Sequence, residues 1–97
     1  MPGFAFKVFH YLEIERAERY VKQLNSHLSK KAALYEGFLL FPGLGAAEAM
    51  VIPDSNMIRL MAVSDSEESL EKIKFILAKH LYKFAKLEFE PETLEWT

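Results

Sequence analysis

The sequence predicts an α+β fold, a two-layer sandwich in which two helices lie on one face of a mainly antiparallel sheet. Three observations carry that expectation. Apolar residues alternate near the start of the chain, then recur at steps of three and four in two separate stretches, and three strand-like runs lie between those stretches. Two amphipathic helices and a sheet with an apolar side bury most simply against each other. The 97 residues, 51% of them hydrophobic, fit a single domain over 1–97 and exclude disorder driven by low hydrophobicity.

Phe4 to Leu12 reads as the first strand, with Phe4, Phe6, Val8, His10 and Leu12 on one side. From Glu15 to Lys31 the period lengthens: Ala17, Val21, Leu24 and Leu28 form an apolar stripe, and Lys30 and Lys31 suit the negative end of a helix dipole. Leu34 to Phe41, Ala46 to Ile52 and Met57 to Ser64 follow as strands of an antiparallel meander. Pro42-Gly43-Leu44-Gly45 and Pro53-Asp54-Ser55-Asn56 are the turns between them. Ser64 is the expected N-cap of the second helix, with a capping box to Glu67. Leu70, Ile73, Leu77, Leu81 and Phe84 form its core stripe, which ends near Lys86, and Leu87 to Glu90 can add a short last strand. The order is β-α-β-β-β-α with that optional strand, and the expected core is Val8, Leu24, Leu60, Ile73, Leu77 and Phe84.

Composition removes several function classes. Without cysteine there is no disulfide, thiolate metal site or cysteine nucleophile. Twelve basic against fourteen acidic side chains argue against wholesale binding to phosphate backbones, which leaves nucleic-acid binding through an open sheet face as a remote reading. The first strand lacks the basic flank and cleavage site of a signal peptide, and no apolar run approaches membrane-spanning length. A cytoplasmic protein without a membrane partner is expected. Pro42-Gly43-Leu44-Gly45 lacks the lysine and spacing of a phosphate loop, so no cofactor is expected.

Around the first helix, Arg16-Ala-Glu-Arg19-Tyr20-Val-Lys22-Gln23-Leu24 with His27 resembles a small bacterial family of unknown function. Its pattern is R-x-x-R-Y-x-K-Q-L-x-x-H. Gly37-Phe-Leu39-Leu-Phe41-Pro42, His80-Leu81-Tyr-Lys-Phe84-Ala85 and Trp96 extend the resemblance to most of the chain. Relatives are loosely linked to siderophore-interacting flavoproteins, which implies a metal-dependent or enzymatic accessory of iron metabolism as an alternative role. Lys30 and Asn25 stand where relatives often carry histidine and cysteine, and both departures count against a metal-centred role.

Arg16, Arg19, Gln23, His27 and Lys30 recur at helical spacing along one ridge, a candidate site for an anionic small molecule or an acidic protein partner. The competing reading is a solvated cationic face. His10, His27 and His80 share the expected interior side of their elements, so they are candidates for a three-nitrogen metal site or for three hydrogen-bonded core histidines. Glu36 and Glu48, on neighbouring strands, are an acid–base pair or two outward carboxylates. Lys72, Lys79, Lys83 and Lys86 read as a solvated ridge. Phe75, Ala78 and Tyr82 form a second apolar stripe on the second helix and need a cover, which a homodimer would supply through that helix or through the sheet around Met57, Met61 and Val63.

Overall fold

The two expected helical stripes converge on one side of the sheet. The structure, a computed structural model, describes residues 4–97. In chain order it comprises β1 (Phe6–Glu13), α1 (Ala17–Leu28), β2 (Ala33–Tyr35), β3 (Phe38–Phe41), β4 (Gly45–Val51), β5 (Met57–Ser64) and α2 (Glu67–Phe84), followed by a 3-10 turn at Pro91–Thr93. All strand pairs are antiparallel, in the order β1-β5-β4-β3-β2.

The core lies between the helices and one sheet face. Leu24 and Leu28 of α1 and Ile73, Leu77 and Leu81 of α2 are fully buried against Leu39, Ile58 and Leu60. Ala47, Ala49 and Ala62 keep the sheet surface low there, which lets the helices approach it. Of the expected core, Leu24, Leu60, Ile73 and Leu77 are enclosed, while Val8 and Phe84 pack at its margin. Gly45 has a special role, with φ of 152° and a position where a Cβ would strike the Val63 carbonyl oxygen and Ser64 Cα. A side chain cannot be added there without moving β5.

Several boundaries differ from expectation for identifiable reasons. β1 begins at Phe6, and Phe4 lies outside it. The helix expected from Glu15 starts at Ala17, because Arg16 takes a left-handed conformation (φ 63°) with no side-chain cap to continue the helix backwards. The run Leu34 to Phe41 is two strands: Glu36 (φ 49°) and Gly37 (φ 87°) fold it into a two-residue hairpin. Ser64 ends β5 and donates its hydroxyl to the Leu44 carbonyl, so the expected box with Glu67 does not form. The cap of α2 is Ser66, whose Oγ accepts from the Ser69 amide at 3.1 Å.

α2 ends in a Schellman arrangement in which Leu87 N donates to Tyr82 O and Lys86 N to Lys83 O, with Lys86 left-handed at φ 56°. This turns the chain back along α2. Leu87 to Glu90 therefore forms no strand; instead Thr97 and Phe9 exchange two backbone hydrogen bonds of 2.7 and 2.9 Å at the outer edge of β1. The final segment thereby covers α2 and closes a sheet edge.

Candidate functional site

The expected trio of histidines separates into two places. His10 is buried on the inner face of β1. Its Nδ1 lies 2.9 Å from the Glu95 carbonyl, which can only accept, so Nδ1 carries a proton. Neutral His10 then uses Nε2 to accept from the Tyr82 hydroxyl, also at 2.9 Å. The Trp96 ring completes this polar clasp at 5.2 Å. His10 is thus a satisfied structural histidine that ties the final segment to α2. Among the described residues, no group of three or more His, Asp or Glu side chains is placed to hold a metal ion.

His27 and His80 do come together. The last turn of α1 carries His27, His80 lies about one turn before the C-terminal end of α2, and packing of the helices puts the ring centroids 4.9 Å apart. Phe84 forms an aromatic wall, edge-on to His27 at 5.5 Å. His80 Nδ1 donates to Ile76 O at 2.7 Å, which leaves its Nε2 for other partners. Beyond α1 the chain stays tightly wound, with Lys30 N bonded to His27 O and Lys31 N to Leu28 O, so both lysines remain around the helix end.

The electrostatics of this crevice are one-sided. The His27 imidazole is held below its usual 6.5, first by partial burial and then by the positive groups of His80, Lys31, Lys30 and Lys83. Among the described residues the ion pairs are Arg59–Glu48, Lys72–Glu68 and Lys74–Glu71, and none involves these three lysines. Cations at helix C-termini also relieve the dipole, a structural role that needs no ligand.

The ridge expected along α1 is only partly brought to this place. Lys30 and His27 belong to the crevice, and Gln23 is exposed one helical turn before it. Arg19 is exposed near the other end of α1, roughly 12 Å along the axis from His27 by helical rise, and Arg16 is off the helix. Asn25 faces β4 instead, its Nδ2 at 3.5 Å from Ala49 O. Sequence spacing assigns neither Lys83 nor Lys31 to a site, and Lys83 in particular reads as part of a solvated ridge. Its i+3 relation to His80 was the available signal. Glu36 and Glu48 do not pair: Glu36 occupies the exposed hairpin, and Glu48 accepts from Arg59 Nη2 at 3.0 Å.

The second stripe of α2 is covered by the chain itself. Ala78 and Tyr82 are buried, with Phe89 at 6.0 Å from the Tyr82 ring and 5.7 Å from Phe75. Only Phe75 stays substantially open, at 44% exposure. A shallow cleft of about 280 Å³ remains between Phe75, Phe89, Leu94 and Trp96. The need for a second copy over this stripe therefore falls away.

Residues 11–97 match a family described as "uncharacterized protein conserved in bacteria (DUF2218)". The chain belongs to this family. The DUF2218 match spans both helices, the histidine crevice and the Tyr82 and Trp96 side of the clasp, in agreement with the resemblance read from the helical motifs. No match is found among curated proteins. The NMR structure of PA4090 from Pseudomonas aeruginosa has the same fold, with 27% identity, a TM-score of 0.71 and 95% of each chain covered. No helix among the described residues is long and apolar enough to cross a membrane.

Proposed function

We propose that this chain is a non-catalytic binding module that takes an anionic small molecule at the crevice of His27 and His80, with Lys30, Lys31 and Lys83 around it. The observation that carries this reading is the collection of positive groups about one half-buried imidazole, with none of the three lysines in an ion pair among the described residues. Such an arrangement works against His27 protonation, and an anion removes that penalty. Lysines supply point charge, and His80 Nε2 and the His27 ring nitrogens supply directed hydrogen bonds to carboxylate or phosphate oxygens. Phe84 offers an apolar wall for the body of the ligand.

Calorimetric titration of the chain with inorganic phosphate and with citrate, at pH 6 and pH 8, tests this. Binding is expected at pH 6 and weaker at pH 8. Lys83→Gln and His27→Ala should each weaken it about tenfold or more, the scale of one lost charge-assisted hydrogen bond, while Arg16→Gln leaves it unchanged. Equal loss in Arg16→Gln, or no saturable binding of either anion, would contradict the site.

A further inference from the structure

We propose that the sheet face turned away from the helices packs against the same face of a second copy of this chain. The register aligns Phe38, Glu48, Met61 and Phe9 in one row across the sheet, and Leu40, Ala46 and Val63 in the next. Ala46, Met61 and Val63 are almost fully buried although no helix covers them, because Phe9 and Phe38 fold over them as a small second core. The border of that cluster is open: Tyr11 is 47% exposed and Leu40 is 38% exposed. The apolar surface left open is thus that border together with the half-buried Phe9 and Phe38 rings, and a contiguous exposed apolar patch on a sheet normally meets another surface.

Charge complementarity selects the occupant. Near the middle of the face Arg59 Nη2 donates to Glu48 at 3.0 Å, with the guanidinium 5.3 Å above Phe9, and Arg59 Nε has no acceptor among the described residues. At the β1 border Lys7 and Glu13 again supply one charge of each sign. A face neutral in itself, with adjacent opposite charges, is complementary to its own twofold image: an axis between Arg59 and Glu48 sets each over the other's counterpart. An acidic or basic partner finds no net charge to match. Five strands of this length present roughly 500 Å² of projected face by strand spacing and rise, so two copies reach about 1,000 Å², the floor for a specific interface. Pairing through the β1 edge is closed already by Thr97.

Sedimentation velocity of the full chain from about 1 to 300 µM, a range that brackets micromolar association, is the test. A dimer is expected. Tyr11→Glu and Leu40→Glu, both at exposed positions outside the main core, should weaken it at least tenfold while circular dichroism stays native, and Phe75→Glu on the helical side should leave it intact. Arg59→Glu and Glu48→Arg should each be monomeric alone and form a heterodimer when mixed, a rescue that a fold defect does not produce. A native chain monomeric throughout the range, a dimer unaffected by both glutamate variants, or a monomer whose face is filled only by a different protein would overturn the proposal.

Discussion

Replacing Tyr82 with Phe removes one hydroxyl and nothing else from the clasp. That oxygen is the partner of His10 Nε2, in a place where His10 is only 6% exposed and Tyr82 only 8%. The imidazole cannot adapt by moving its proton to Nε2, because Nδ1 would then turn a lone pair toward the Glu95 carbonyl. A buried acceptor is left without a donor, which costs about 1–3 kcal/mol. For a domain of this size each kcal/mol lowers the melting midpoint by roughly 4–8 °C. His10→Phe leaves the Tyr82 hydroxyl unpartnered instead, so the double variant should be less destabilised than the sum of the two by about 1 kcal/mol or more. Urea unfolding followed by the fluorescence of Trp96, the single tryptophan, and by circular dichroism gives both numbers. A Tyr82→Phe chain within about 0.3 kcal/mol of the native one, a typical effect for a surface change, or strictly additive variants would refute the reasoning.

The other expectations concern the core, the turns and pH. Leu77→Ala removes a fully buried side chain between helix and sheet and should cost about 2–5 kcal/mol in denaturant unfolding. Gly45→Ala should be at least as damaging, since the added Cβ meets backbone atoms of β5, and a well-dispersed native NMR spectrum from that variant would contradict the close approach. Glu36→Asn relieves a left-handed glutamate in the hairpin and should raise the thermal midpoint by the equivalent of about 0.5–1 kcal/mol. Burial pushes the Tyr82 phenol above its usual 10, so its contribution is complete below about pH 10 and is lost as pH rises through the folded value. His27 behaves oppositely: with its folded value below 6.5, the unfolded chain takes up the proton first as pH falls. Stability is therefore complete above about 6.5 and declines toward the folded value, a slope that His27→Gln should flatten in urea midpoints measured from pH 5 to 8.

Periodicity makes the architecture legible in the sequence. Leu24 on one helix and Ile73 and Leu77 on the other face the sheet as their apolar stripes require, and Met57 to Ser64 is the strand expected after the turn Pro53-Asp54-Ser55-Asn56. What was not legible depended on backbone conformations that the side chains do not announce. Arg16, Glu36 and Lys86 all adopt left-handed φ where glycine or asparagine would have been the usual signal, and these three positions account for the late start of α1, the extra hairpin and the return of the final segment over α2. The cover over Ala78 and Tyr82 followed from that return, so a stripe that called for a second copy is satisfied within the chain. The crevice was half legible. His27 and Lys30 stand out in the α1 pattern, but their neighbours His80 and Lys83 come from the other helix, and only the packing of the two brings them together.

The titration of the His27 ring, followed by its Cε1–H resonance with and without saturating citrate, tests the central claim most directly. The free protein should titrate below 6.5, for the burial and surrounding positive charge described above. Citrate should raise the midpoint, because an anion among Lys30, Lys31 and Lys83 stabilises the imidazolium, and the rise should shrink in Lys83→Gln. A midpoint that stays in place with citrate present, or one that moves equally in native and Lys83→Gln protein, would contradict an anion site at this crevice.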